Sequence, residues 1–374
     1  MLGSPRNSSM ITVNNRKNGN LSRAQPVNAS IPNIQPSKTR LRNIDALRGI
    51  CAILVVLHHI APHSWEGAGI WTSHPIFSLD LGRIGVAAFF LISGYVIPFS
   101  VPSDGKRVLK FWIARFFRLW PAYWVAILVT LIMGASEIPL NLKNIAFNVT
   151  MLQKFFGIQD MVSPFWTLQI ELIFYALITI MVAFGVVSNK RYYRLGFYVM
   201  IGLSLAMSAF RGSLHIRLPV VVPMALTLMF LAGYIRNCRL MSKPIPRIML
   251  ACYVVSLIPI CWLGYSENLS GSDDPYKWML AYSAALCLFL LFESTADAPS
   301  VAVFMGRISY SVYLLFPAVI KVDQILLGSK NTIFDVGFTL ALTTAFAWVV
   351  YRLVELPSQR WGKIIIKRIQ DPVS

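Results

Sequence analysis

Four ionisable side chains bracket the first strongly apolar stretch, "NIDALRGICAILVVLHHIAP", at residues 43–62: Asp45, Arg48, His58 and His59. Imidazole is the side chain that trades protons near neutral pH, and guanidinium is the natural holder of phosphate or carboxylate. Their spacing is specific. Eleven residues at 100° each return to within about 20° of the starting direction, so Arg48 and His59 share one helix face about 16 Å apart. His58 points about 80° away. On its own, Arg48 reads equally well as a snorkelling interfacial anchor, and His59 as a histidine bonded to a carbonyl. A metal reading, from His59 and His63 at i, i+4 with Glu66 beyond, is disfavoured. Pro62 interrupts the helix and no H-E-x-x-H is present, so no metal site is expected.

Other segments carry charge where lipid would reject it. "SPFWTLQIELIFYAL" places Glu171 one to two turns inside an apolar run. Ionisable groups within a span normally face a polar interior and mark function. By depth, Glu171 and His59 are expected in the same half of the membrane, where a carboxylate can orient a basic imidazole. The bland alternative is a structural hydrogen bond from Glu171 to a neighbouring helix. In "FWIARFFRLWPAYW", Arg115 and Arg118 are i, i+3 neighbours suited to a phosphorylated ligand, although anchors at a basic membrane face look the same. Glu355 in "YRLVELPSQRW" is expected at the level of Arg48, as a partner for it or for the arginines of the second link.

These residues need a scaffold, and the composition says what kind. The chain has 374 residues, 56% hydrophobic and only 13% charged, where soluble domains carry roughly 25% charged residues. Apolar runs of membrane-crossing length recur between about residues 44 and 353, near 44–62, 83–100, 118–134, 166–186, 195–210, 219–235, 247–264, 278–293, 307–326 and 333–353. The fold expected is all-α, a polytopic membrane protein of about ten transmembrane helices. Long continuous runs exclude the alternation of a β-barrel.

The net charge of +18 would suggest nucleic acid in a soluble protein, but here the basic residues sit in links between spans. The second link ("GKRVLKFWIARFFR"), the fourth ("NKRYYR") and the sixth ("RNCRLMSKPIPR") are basic, as is the C-terminal segment. Arg211 and Arg217 are exceptions. The pattern predicts both termini in the cytoplasm and no nucleic-acid partner. Residues 1–42 are rich in Asn, Ser and Pro with no acidic residue, and read as a disordered basic cytoplasmic tail in contact with lipid headgroups. Residues 43–356 form the transmembrane domain and 357–374 a second basic tail. The segment 135–165 contains "IAFNVTMLQKFFGI", amphipathic enough for the interface. The five cysteines, with no C-x-x-C, read as small buried hydrophobes.

In this order the segments resemble the acyltransferase-3 family of integral membrane acyltransferases. "IDALRGICAILVVLHH" resembles the family's opening helix, whose Arg, ten intervening residues and His fall on Arg48 and His59. "GVAAFFLISGYVI" is similar to its second-helix signature at Gly85, Phe89, Phe90, Ser93, Gly94 and Tyr95. "RFFRLWPAYW" resembles its Arg-x-x-Arg segment on Arg115, Arg118 and Pro121. "FWTLQIELIFY" resembles the segment carrying Trp166, Glu171, Phe174 and Tyr175, and "GRISYSVYLLFP" and "VELP" its two C-terminal signatures. Two positions depart: Ala87 stands where many members are polar, and Phe316 where many have a histidine.

The resemblance implies transfer of an acyl group, often acetyl, from cytoplasmic acyl-CoA to a hydroxyl of a carbohydrate or glycolipid in or beyond a bacterial inner membrane. It implies His59 and Glu171 as catalytic residues, and Arg48, Arg115, Arg118, Trp166 and Tyr175 at the substrates. Acyl-CoA enters as donor, with no permanently bound cofactor. Because about twenty residues follow the last span, the bundle itself is expected to serve the acceptor. The rival reading is a transporter or flippase of a glycolipid or small metabolite. It would also carry charges in the bundle, but the inverted repeat common in such proteins is not evident.

Overall fold

The computed structural model describes residues 38–65, 79–102, 105–269, 273–294, 297–327 and 333–370. All of them lie in one compact unit, Pro36–Ser374. Most of the expected N-terminal tail falls outside the described residues, as do Glu66 and the side chain of His63.

Among the described residues every regular element is helical. The chain runs α1 (Lys38–Trp65), α2 (Leu81–Val96), α3 (Arg107–Ile132), α4 (Leu142–Thr150), α5 (Trp166–Ala183), α6 (Lys190–Leu214), α7 (Val221–Leu240), α8 (Arg247–Tyr265), α9 (Pro275–Ser294), α10 (Ser300–Leu327), α11 (Ile333–Val350) and α12 (Leu356–Gln370). Among the described residues, ten helical segments are long and apolar enough to cross a membrane, matching the ten expected. The tenth runs Phe334–Ile369, joining α11 and α12 through a π-helical turn at Tyr351–Glu355. Several helices outrun their apolar cores. α3 starts at Arg107, so Arg115 and Arg118 stand two to three turns inside a helix rather than at its edge. Backbone hydrogen bonding continues the helix through residues that hydropathy alone would assign to a link.

α1 and α2 form the centre. α1 packs on α10, α2 and α11, while α2 packs on α7 and α9. Close approach is secured by glycine. A Cβ at Gly306 would strike the Asp45 carbonyl of α1, and one at Gly94 the backbone of Met229 in α7. Small residues at crossings let membrane helices approach backbone to backbone, where dispersion replaces the hydrophobic effect. Around this centre lie large buried rings, among them Phe111, Tyr123, Phe165 and Tyr175.

The 135–165 segment is folded rather than draped. Asn141 caps α4 by accepting from the Asn144 amide. The fully buried Asn148 donates to the Asn144 and Gln159 carbonyls at 2.9 and 3.1 Å, and accepts from the Met161 amide at 2.8 Å. Tyr123 of α3 donates to the Asn148 carbonyl at 2.8 Å. One asparagine thus ties α4 to the 159–161 stretch and to α3, because each buried peptide group needs a partner.

Arg211, out of pattern for a cation-poor link, pairs with Asp273 at 2.6 Å, with both side chains buried, and donates to the Leu218 carbonyl. It is a structural cation. The cysteines are unpaired; Cys51, Cys238 and Cys261 are buried, but Cys287 is exposed on α9.

Candidate active site

Two adjoining pockets run along the Arg48–His59 face of α1. The narrower, about 70 Å³, is lined by Arg48, Ser93, Arg118, Glu171, Ser309 and Tyr310 among others. The wider, about 750 Å³, is lined by His58, His59, Asp80, Arg83, Trp166 and Lys277 among others. Val86 and Tyr313 line both. The eleven-residue step along α1 therefore separates two chambers with a common wall.

In the Arg48 pocket, α1, α3, α5 and α10 each supply polar groups. The Arg48 guanidinium lies 3.8 Å from Asp45 and within electrostatic reach of Arg118, Glu171 and Glu355. Glu171 accepts a 2.5 Å hydrogen bond from the Tyr175 hydroxyl, one turn along α5. Tyr175 is completely buried, its ring packed against Phe111 and Trp112. Glu355 is buried in the π turn, accepting from Ser311 at 2.9 Å and Gln359 at 3.1 Å. Such turns often mark functional positions, since the extra residue turns a side chain inward.

Arg115 is directed differently from Arg118. It donates to Ser100 Oγ at 2.7 Å and lies over the rings of Tyr175 and Phe111, 5.6 and 5.4 Å from their centres. Residues three apart on α3 are neighbours, yet burial turns one toward the Arg48 pocket and the other toward the tyrosine that holds Glu171.

The His59 ring is fixed on two sides. Its Nδ1 lies 2.8 Å from the Val55 carbonyl oxygen. A carbonyl can only accept, so the proton sits on Nδ1 and Nε2 is the basic nitrogen. The Phe316 ring packs against it at 4.8 Å. Phe316 in turn touches Tyr313 (6.2 Å), and Tyr313 touches Phe89 (6.0 Å). Tyr313 is anchored by a 2.7 Å donation to the Pro164 carbonyl and a 2.7 Å bond with Thr167. Aromatic rings thus run from His59 to the wall between the pockets.

The residues singled out by sequence divide between the chambers. Arg48, Arg118 and Glu171 share one; His59 and Trp166 share the other. Glu171 accepts from Tyr175, an i, i+4 contact within α5, and lines a different pocket from His59. His59 bonds its own helix backbone at Val55 and packs on Phe316.

Several pocket residues had no clear signal in one dimension. Asp80 caps α2 through the Arg83 amide (2.8 Å), pairs with the Arg83 guanidinium (2.7 Å) and lies 3.6 Å from His58 Nδ1. Arg83 lies 4.5 Å over the Trp278 ring. Only "DLGR", an acid preceding a helix with an arginine at i+3, hinted at the first pair. Tyr313 and Ser309 sat inside a recognised signature without an assigned role.

A model of the Acyltransferase domain family matches residues 41–352. Among curated proteins, a Staphylococcus aureus protein provisionally named an O-acetyltransferase is 24% identical over 368 residues, covering 85% of this chain and 57% of its own. The peptidoglycan O-acetyltransferase OatA of Listeria monocytogenes is 30% identical over 161 residues, covering 37% and 24%. The acyltransferase MdmB of Streptomyces mycarofaciens is 32% identical over 94 residues, covering 25% and 24%. The chain therefore spans little more than half the length of the Staphylococcus relative. No solved structure matches the chain. With the match extending from the first turn of the α1 span to the π turn before α12, the chain belongs to the acyltransferase-3 family of membrane acyltransferases.

Proposed function

We propose that the chain is a membrane O-acyltransferase that moves an acyl group, most simply acetyl, from cytoplasmic acyl-CoA to a hydroxyl of an extracytoplasmic or lipid-linked carbohydrate. One observation carries the reading: an arginine-lined pocket and a histidine-lined pocket abut through Val86 and Tyr313. The names of the relatives, which specify O-acetyl transfer and in one case peptidoglycan, support the reaction class. The basic links orient the Arg48 end toward the cytoplasm of a bacterial inner membrane, and ten crossings return the C-terminus to that side. In this reading residues 43–356 are the catalytic bundle, flanked by basic tails at 1–42 and 357–374.

Arg48 and Arg118 hold the donor's phosphates, since guanidinium binds phosphate through paired hydrogen bonds. With the phosphates at these arginines, the thin pantetheine arm reaches on toward His59, about 16 Å away along α1, while the adenosine stays outside. Arg115 acts as a positioning residue: through its place over Tyr175 it supports the tyrosine that holds Glu171, and Glu171 balances the two pocket arginines. Trp166 offers a flat apolar face for the acceptor sugar in the wider pocket.

His59 serves as general base. Its Nε2 takes the proton from the acceptor hydroxyl as that oxygen attacks the thioester carbonyl carbon. The tetrahedral intermediate collapses with breakage of the C–S bond. The leaving thiolate takes the proton back from the imidazolium, giving an ester and free CoA. Purified chain incubated with acetyl-CoA labelled in the acetyl group should place label covalently on carbohydrate, and His59→Ala should abolish this. Label that crosses a membrane without becoming covalent would favour a transporter, and full transfer by His59→Ala would remove the histidine from the chemistry.

A further inference from the structure

A third cavity, about 990 Å³, opens beside the two site pockets and shares Ser163 and Trp166 with the His59 pocket. Its walls come from three helices: Ile173 and Leu177 of α5, Met200 and Leu203 of α6, Val222 and Leu226 of α7. α6 packs on α7 and α8, and α5 meets α7, but α5 and α6 barely touch. Leu203, 44% exposed, lines the cavity between them.

The cavity is amphipathic along its length. From Trp166 to Leu177 the α5 wall descends eleven residues, about 16 Å, which is half of a hydrocarbon core about 30 Å thick. Polar groups cluster at the Trp166 end. Asp160 is buried and accepts from Gln153 at 2.7 Å and Gln169 at 2.8 Å, with Lys154 at 3.0 Å. Glu137 also lines this end and accepts from the Ser163 amide at 3.0 Å. Two carboxylates against one ammonium would repel a lipid phosphate, whereas they suit a neutral head rich in hydroxyls. The dimensions fit one hydrocarbon chain reaching from an interface to the bilayer centre.

We infer that this groove seats the hydrocarbon chain of a lipid-anchored carbohydrate acceptor, whose sugar turns past Ser163 and Trp166 into the His59 pocket. The inference rests on the acyltransferase reading and adds to it that the acceptor is presented from the membrane rather than from solution. Concentrating the acceptor in the plane of the membrane and fixing its head beside His59 lowers the entropic cost of bringing the hydroxyl to the thioester.

The test uses the full chain in phospholipid vesicles and a dodecyl glucoside carrying a diazirine in its alkyl chain. Photolysis should place adducts on the α5, α6 and α7 segments facing the groove. Excess unlabelled dodecyl glucoside should suppress them, and methyl glucoside should not. Leu203→Trp and Met207→Trp, both at positions of α6 that line the cavity, narrow it and should each lower labelling about fivefold or more while leaving binding of acetyl-CoA unchanged. Labelling spread evenly over the lipid-facing helices, or indifferent to both substitutions, would reduce the groove to a bulk-lipid contact and overturn the proposal. Acyl transfer is read separately: its absence in the parent chain would count against the enzymatic reading, while the adduct map decides the groove.

Discussion

The ring of Phe316 packs against the ring of His59 with centres 4.8 Å apart and planes at 54°. Phe316 is the position at which many resembling sequences carry a histidine, and it is fully buried. The departure therefore falls on an aromatic neighbour of the proposed base. A second imidazole there would be a second proton carrier. The phenyl ring instead packs against His59 without carrying a proton.

This predicts a simple pH–rate profile. A general base must be neutral to accept a proton, so activity falls as pH drops, and with one base log kcat/KM should follow a single ascending limb. Phe316→His would add a further imidazole against His59, whose ring already meets that of His58 edge-on at 5.2 Å, and groups so close titrate as a coupled pair. The limb should then resolve into two ionisations. An unchanged profile in that variant would show that residue 316 does not act on His59.

The adjacent histidines should separate cleanly. His58 is 38% exposed and lies 3.6 Å from Asp80, already joined to Arg83. His58→Ala should change KM for the acceptor by a few-fold and leave kcat near the parent value. His59→Ala should lower kcat by two orders of magnitude or more, in the range general base catalysis supplies. Equal losses at both positions would argue for a paired role.

Tyr175→Phe removes the 2.5 Å donor to Glu171 without changing the ring that Arg115 covers. A hydrogen bond to a charged group contributes about 1.5–3 kcal/mol. If that interaction serves the donor site, kcat/KM for acyl-CoA should fall about ten- to hundredfold while detergent-solubilised protein keeps its melting temperature. A large drop in melting temperature with normal kinetics would make the pair structural.

How far the sequence was legible depends on the range of the contact. The ten spans follow from composition, and the Arg48–His59 face follows from helix geometry within one element. The Tyr175–Glu171 bond was also within reach, being i, i+4, but depth drew attention to His59 instead. Contacts such as Phe316 with His59, Asp80 with His58 and Arg211 with Asp273 join different elements. No periodicity encodes which helices become neighbours. Boundaries such as the start of the third span and the end of the tenth were the least legible, because hydropathy marks where lipid is tolerated, whereas hydrogen bonding carried α3 back to Arg107 and the last helical segment on to Ile369.

Arg211 and Asp273 offer a stability test at the edge of the His59 pocket, which Asp273 lines. Their side chains are 6% and 4% exposed and 2.6 Å apart, with Arg211 also lying over Tyr265. Breaking a buried pair from one side leaves an uncompensated charge and costs about 3–5 kcal/mol. Asp273→Ala should therefore lower thermal stability sharply, and Arg211→Met combined with Asp273→Leu should recover most of it. Failure of the double variant would mean the pair sets helix register rather than merely satisfying charge.

The tightest constraint is at the crossing of α1 and α10, where a Cβ at Gly306 would collide with the Asp45 carbonyl, and one at Gly49 with the backbone of Gly306. Asp45 and Arg48 lie on the same turn as that contact, and Ser309, Tyr310 and Tyr313 follow on α10. Forcing the helices apart would therefore open the Arg48 pocket as well as weaken the bundle. Gly306→Ala is expected to reduce folded yield severely and to abolish transfer in whatever protein survives. Gly202 of α6 is the matched control, since nothing lies within 4 Å of a Cβ there. Alanine is preferred over glycine in a helix by about 1 kcal/mol, so Gly202→Ala should hold or raise the melting temperature with activity intact. Normal yield and transfer in Gly306→Ala would show that α1 and α10 cross with more slack than their backbones display.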